Sequence, residues 1–151
     1  MLNRVAFVPF ALCLLAFPAQ AQQACPDPYT ARGICTPITN TATGTTGAIA
    51  ATLPAVAGKT AYLCGFYYTG TNATNPNTAT SVTVTGTIGG TMSFGFPTLA
   101  AAATVPNTIP IDEEFLPCVA ASAVNTPIVV NGPALGAGAT QATVTAWGYY
   151  L

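Results

Sequence analysis

The chain has 151 residues, of which only 5% are charged, and its formal net charge is −1. Beyond the first 21 residues its basic side chains are Arg32 and Lys59, so there is no basic patch that would indicate nucleic-acid binding. A hydrophobic content of 51% with so little charge is also opposite to the composition of disordered chains, and it suits a protein that works within an assembly.

The first 21 residues have the pattern of a secretory signal peptide. Arg4 supplies positive charge, residues 5–17 form an uncharged apolar run, and residues 19–21 (AQA) read as a cleavage site. Because the apolar run is short for a membrane span, cleavage before Gln22 is favoured over an uncleaved anchor. The mature chain, residues 22–151, is then one exported domain that is secreted, periplasmic or at the cell surface, with no membrane span after cleavage.

Four cysteines remain in the mature chain, and an even number in an exported protein predicts two disulfides. Of the three connectivities, we favour Cys25–Cys35, which staples an N-terminal arm over residues 22–46, and Cys64–Cys118, which closes a long loop. The alternative use, a zinc site, fits neither the spacings nor a chain without histidine. No metal and no cofactor are therefore expected.

The β-sandwich domain is expected over residues 47–151. A Thr/Gly-rich stretch at residues 41–47 is interpreted as a flexible lead-in, followed by a first strand at residues 48–53. Residues 60–69 (TAYLCGFYYT) are apolar or aromatic on both alternating faces, with Tyr62, Cys64, Phe66 and Tyr68 on one of them. This pattern predicts a central strand that is covered on both sides.

The clearest element is a β-hairpin at residues 81–96 (SVTVTGTIGGTMSFGF). Apolar residues alternate with small polar ones on both sides of Gly89-Gly90, and a glycine pair supplies the positive φ of tight primed turns. Val82, Val84, Gly86 and Ile88 are assigned to the apolar face. Such a face needs a cover, which predicts a second sheet.

Further strands are predicted at residues 108–111, 127–131 and 140–151, with a short helical turn or apolar linker at residues 99–104. The total is seven or eight short strands and no convincing helix. We therefore predict an all-β fold, an antiparallel β-sandwich that is jelly-roll-like.

Little in the chain could carry catalysis. It has no histidine to act as a general base near neutral pH. Asp112 and Glu114 would lie on one side of an extended strand, with Glu113 opposite. They could contribute to a Ca²⁺ site, but a charged strand edge that discourages aggregation is the favoured interpretation. We therefore expect no enzymatic activity.

Aromatic residues are the remaining candidates for function. In the last strand, Trp147 and Tyr149 share a face with Thr143 and Thr145. Together with Tyr67 they could form an interface or a surface on which sugars stack, and core packing is the remaining interpretation.

Two resemblances bear on the fold. The tail, from residues 133–138 (PALGAG) to residues 146–149 (AWGY), resembles small exported β-sandwich proteins of bacterial and phage genomes, over roughly the last two-thirds of the chain. That resemblance implies no activity. The chain also resembles chaperone–usher pilin subunits, whose C-terminal motif has a penultimate aromatic residue and a glycine fourteen positions from the end, as Tyr150 and Gly138 do. It departs from them in its favoured Cys64–Cys118 bridge and in lacking a long alternating donor strand at the N-terminus.

Two functional hypotheses follow. The first is an exported, non-enzymatic structural or surface-interaction protein that acts through self-assembly or contact, with itself or a cell-surface component as partner. The alternative is an adhesin-like module that binds carbohydrate or another cell-surface ligand through its aromatic residues.

Overall fold

The computed structural model describes residues 35–72, 80–96, 107–136 and 139–151. The signal peptide expected at residues 1–21, the first part of the arm with Cys25, the segment at residues 99–104 and Gly138 of the pilin-like motif lie outside the described residues. Predictions that concern them remain predictions.

The described chain consists of strands, as the sequence predicts. They are β1 Thr36–Gly44, β2 Ile49–Leu53, β3 Ala61–Asn72, β4 Thr80–Thr87, β5 Gly90–Phe96, β6 Asn107–Ala120, β7 Ile128–Gly132 and β8 Ala139–Tyr150. All pairs are antiparallel. They form two four-stranded sheets, sheet I in the order β1-β8-β3-β6 and sheet II in the order β2-β7-β4-β5.

The strand order confirms a jelly-roll-like β-sandwich. The first half of the chain pairs with the second as one long hairpin, β1 with β8, β2 with β7, β3 with β6 and β4 with β5. Rolling that hairpin so that successive pairs alternate between two sheets gives the jelly-roll topology. The predicted hairpin at residues 81–96 lies at the tip of this arrangement.

The β4–β5 hairpin is confirmed, with two differences in detail. The positive φ of the turn falls at Gly90, the first residue of β5, with a value of 86°. A bulge at Gly86 (φ 84°) shifts the register between Val84 and Thr87. Thr87 is therefore buried, while Ile88, assigned to the apolar face, is 73% exposed at the tip.

A β-bulge also changes the faces of β3. Leu63 pairs with Gly148 of β8 and Gly65 with Trp147, so Cys64 is an extra residue in β3. Because side chains alternate, the extra residue turns Tyr62 to the face opposite Phe66. The prediction that one face of the strand carries Tyr62, Cys64, Phe66 and Tyr68 was therefore wrong. The prediction that the strand is covered on both sides was also wrong, because Tyr67 is 37% exposed.

The first strand begins earlier than predicted. Thr36–Gly44 forms β1 and pairs along its whole length with β8. The flexible lead-in predicted for residues 41–47 was therefore wrong over most of its length. β1 also begins inside the segment assigned to the N-terminal arm.

The core lies between the sheets. Its largest fully buried side chains on the facing sides of both sheets are Leu53, Leu63, Phe66, Tyr68, Val82, Val84, Ile128, Val130 and Val144. On one side of the sandwich β1 contacts β2, where Asn40 Nδ2 donates to the carbonyl of Thr52 at 2.8 Å. On the other side, Phe94 of β5 meets Phe115 of β6 at a centroid distance of 6.1 Å.

One of the two favoured disulfides is confirmed. Cys64 of β3 and Cys118 of β6 are bonded across 54 residues of chain. Cys35 is also disulfide-bonded, but its predicted partner Cys25 lies outside the described residues. A disulfide is compatible with an extracellular protein. In the part of the chain that the structure describes, no helix has the length and hydropathy needed to cross a membrane.

Candidate functional site

The outer face of sheet I carries most of the residues that the sequence singled out. Strand register places them in rows that run across all four strands. One row reads Thr41, Thr145, Tyr67 and Asp112 from β1 to β6. The next reads Thr39, Trp147, Gly65 and Glu114. Each row therefore brings at least one hydroxyl group, one aromatic ring and a carboxylate to the same surface.

Trp147 lies over Gly65, its pairing partner in β3. A Cβ atom built on Gly65 would be 2.5 Å from Cζ2 and 2.8 Å from Cε2 of the indole. The indole thus occupies the space of the missing side chain, and Gly65 is buried beneath it. Glycine is needed here because it permits close approach. The indole, which is only partly buried, is held as a platform on the sheet.

The carboxylate of Glu114 stands beside this platform. Glu114 of β6 pairs with Gly65 of β3, so its backbone lies one strand spacing, about 4.8 Å, beyond Gly65 in the row. Glu114 and Asp112 are exposed, whereas Glu113 is half-buried on the opposite side of the strand together with Ile111 and Phe115. The predicted alternation of the three acids is confirmed.

A protrusion of β6 forms one wall of the site. The register shifts from Leu63–Val119 to Gly65–Glu114, so residues 115–118 of β6 stand opposite Cys64 alone. The Cys64–Cys118 disulfide holds the base of this protrusion. Leu116, at its outer side, is 80% exposed.

Tyr149 forms part of the floor and not of the surface. It stacks on Tyr62, with ring centroids 4.9 Å apart and an angle of 10° between the planes. Both pack with Cys35 and Cys118 in a small second core on the outer face. Tyr149 is therefore only 2% exposed, and most of it is inaccessible to a partner. Trp147 and Tyr67 of the predicted set remain accessible.

Beside the protrusion of β6 lies a groove of about 380 Å³, which we call the tryptophan groove. Its lining includes Pro37, Thr39, Glu114, Leu116, Trp147 and Tyr149. A volume of this size is at the small end of the range for small-molecule sites. The lining is largely apolar, with a carboxylate and a hydroxyl at opposite flanks of the indole.

Among the described residues that line the groove, the one charged side chain is the carboxylate of Glu114. Within the described ranges the basic side chain is Lys59, whose ammonium donates to Thr36 Oγ1 at 3.2 Å. Lys59 does not line the groove. The described residues also contain no group of three or more His, Cys, Asp or Glu side chains that could hold a metal ion.

The sequence singled out Trp147 and Tyr67 as candidates and favoured a charged strand edge for the acids, and it gave no role to Gly65, Thr39 or Leu116. Each of these becomes significant only through register or through the protrusion of β6. Comparisons with protein families, with curated proteins and with solved structures found no match. Since a jelly-roll fold serves many functions, the functional argument depends on the surfaces themselves.

Proposed function

We propose that this protein is an exported, non-enzymatic structural protein that acts by contact, and that its copies associate through the outer edge of β5. The observation that supports the proposal most strongly is the character of this edge. No described residue pairs with the outer side of β5. The strand Gly90–Phe96 (GTMSFGF) contains neither a charged residue nor a proline.

The other three edge strands each carry a device that discourages pairing with a second chain. β6 contains three acidic residues and two prolines in its sequence NTIPIDEEFLPCVA. β1 contains Pro37 and lies against β2. β2 is only five residues long, and the carbonyl of its Thr52 already accepts a hydrogen bond from the Asn40 side chain. By comparison, the outer side of β5 has none of these features, and no described strand pairs with its backbone.

The sequence of β5 also suits pairing with itself. In an antiparallel pair centred on Ser93, Thr91 would face Gly95, and Met92 would face Phe94 of the other copy. The three outward residues Thr91, Ser93 and Gly95 are small and exposed, while Met92 and Phe94 are half-buried toward the core. Pairing would join the two copies of sheet II and cover the accessible parts of Met92 and Phe94, which favours association.

The absence of catalysis is part of the proposal. The chain has no histidine, and the acids Asp112 and Glu114 lie on an exposed outer face of an edge strand. General acid–base catalysis usually takes place in a cleft that excludes water and holds the substrate against the reacting group. An open face with hydroxyls, rings and carboxylates is better suited to contact.

Light scattering of the mature protein across a concentration series tests the proposal. We expect the mass to rise from one chain toward two as concentration increases. Ser93→Lys places a positive charge at the centre of the edge, where two copies would bring like charges together, and should keep the protein monomeric.

Thr83→Lys is the matched control for the added charge. Thr83 lies directly opposite Ser93 on the neighbouring strand β4, so the same substitution is made one strand away from the edge. This variant should associate like the wild type. A wild-type chain that stays monomeric at all concentrations, or a Ser93→Lys variant that associates normally, would disprove the role of β5.

A further inference from the structure

We propose that the tryptophan groove binds a neutral sugar, with one pyranose ring stacked on the indole of Trp147 and its hydroxyls bonded to the carboxylate of Glu114. This site is separate from β5, which belongs to the other sheet. The inference therefore does not depend on the association of copies.

The first step is the fixed position of the indole. Because Gly65 lies beneath it with no side chain, the ring is seated against the backbone of β3 and held along the sheet. An aromatic ring fixed in this way has little rotamer freedom to lose when a ligand covers it. Its apolar face is complementary to the C–H face of a pyranose ring.

The second step is the placement of polar groups around the ring. Thr39 of β1 and Glu114 of β6 lie on opposite sides of Trp147 in the same row and both line the groove. A purely apolar ligand would desolvate the Glu114 carboxylate without giving it a hydrogen bond, which is costly. A polyol avoids this cost, because its hydroxyls donate to the carboxylate while its ring carbons cover the indole.

The third step is charge. Glu114 lines the groove, Asp112 lies in the adjacent row on the same face, and Lys59 does not line the groove. Among the described residues that line the groove no cation offsets this charge, so an anionic sugar would be repelled. Neutral pyranoses are therefore expected to bind better than uronic acids. The volume of about 380 Å³ limits the occupant to a short segment of glycan.

The single tryptophan of the chain makes the test specific. Trp147 is the only tryptophan in the sequence, so its fluorescence reports on this groove alone. We would titrate the mature protein with neutral gluco-, manno- and chito-oligosaccharides, with oligogalacturonate as the anionic comparison. At least one neutral oligosaccharide should give a saturable change below about 10 mM, and oligogalacturonate should bind at least about tenfold more weakly.

Glu114→Gln and Glu113→Gln form a matched pair for calorimetric titration. The two residues are neighbours in β6 and lose the same charge, but Glu113 lies on the other side of the strand. Glu114→Gln should weaken sugar binding about tenfold, through loss of charge-assisted hydrogen bonds. Glu113→Gln should bind like the wild type. Trp147→Ala should abolish binding, and Trp147→Phe should retain a weakened form of it.

Three results would overturn the proposal. The first is that no neutral oligosaccharide saturates the fluorescence change. The second is equal binding by the Glu114→Gln and Glu113→Gln variants. The third is loss of binding in a monomeric Ser93→Lys variant, because the groove should be complete within one chain. Retained binding in that variant would support the groove whatever the fate of the β5 proposal.

Discussion

Trp147 and Gly65 face each other across β8 and β3, and the six-membered ring of the indole occupies the space that a side chain at residue 65 would need. The position of the one tryptophan of the chain thus depends on residue 65 being a glycine. This pair fixes the floor on which the tryptophan groove is built.

Gly65→Ala should displace the indole and destabilise the protein. The added Cβ would be 2.5 Å from Trp147 Cζ2 and 2.6 Å from the carbonyl oxygen of Glu113, and the backbone atom cannot move as easily as the ring. We expect a loss of about 1–3 kcal/mol in the free energy of unfolding. Urea unfolding measures the loss, and a red-shifted tryptophan emission would report greater exposure of the displaced indole.

Gly95→Ala is the control for that substitution. Gly95 is also a strand glycine, but a Cβ built on it has no neighbour within 4 Å among the described residues. The free energy of unfolding of the Gly95→Ala variant should stay within about 0.5 kcal/mol of the wild type, and its tryptophan emission should be unchanged. Equal effects of the two substitutions would mean that the close contact with Trp147 is not what matters.

Removal of the Cys64–Cys118 disulfide should lower stability strongly. The bond closes a loop across a sequence separation of 54, and the loop-entropy relation gives about 4 kcal/mol for that length. The Cys64→Ala/Cys118→Ala double variant, which leaves no unpaired thiol from this bridge, should unfold at correspondingly lower urea concentration. Unchanged stability would show that the constraint on the unfolded chain has no net effect.

Removing the hydroxyl of Tyr68 and removing that of Tyr150 should have different effects on the stability of the protein. Tyr68 Oη is buried and has no hydrogen-bond partner among the described residues, so Tyr68→Phe should be neutral or stabilising by up to about 1 kcal/mol. Tyr150 Oη donates to the carbonyl of Pro54 at 2.6 Å, so Tyr150→Phe should cost about 1 kcal/mol. Thermal unfolding of the two variants compares them directly, and a larger loss at Tyr68 would contradict this assignment.

Stability should fall at alkaline pH. Burial raises the pKa of Tyr68 to about 12, whereas a tyrosine in the unfolded chain has a pKa of 10.0. Between these values Tyr68 loses its proton in the unfolded state but keeps it in the folded state, so the free energy of unfolding decreases as pH rises through this window. Burial raises the pKa of Tyr150 as well, so its ionisation also lowers the free energy of unfolding as pH rises.

Tyr68→Phe isolates the contribution of Tyr68 to this decline. Urea unfolding measured at several pH values from about 9 to about 12 should show a shallower slope for the variant than for the wild type. Parallel slopes would mean that Tyr68 ionises as readily in the folded protein as in the unfolded one.

Much of the fold followed from local pattern. The alternation around Gly89-Gly90 located the β4–β5 hairpin, and the apolar or aromatic residues on both alternating faces of residues 60–69 located β3, an inner strand of sheet I. The disulfide between Cys64 and Cys118 was also anticipated. These features were predictable because residues close in sequence, or a small set of cysteines, determine them.

The bulges and the first strand were not predictable in the same way. Strict alternation along β3 fails at Cys64 because one extra residue reverses the faces. β1 was missed because Thr36–Gly44 (TPITNTATG) has only Ile38 and Ala42 packed against the core. An edge strand with so few inward apolar residues resembles a loop in sequence.

The tryptophan groove depends on long-range register. Trp147 and Glu114 lie on strands that do not pair with each other, and both are aligned by Gly65 on the strand between them. A period-of-two pattern shows which residues share a face of one strand but not which residues of distant strands share a row. The aromatic and acidic residues could thus be named from sequence, whereas their juxtaposition could not.

The central claim, that copies of this protein associate through the edge of β5, is tested most directly by amide hydrogen exchange at low and high protein concentration. We predict that the amides of Gly90–Phe96 become more protected as concentration rises, while those of β6, the charged edge of the other sheet, do not change. Association without any added protection at β5, or protection that appears at β6 instead, would contradict the claim.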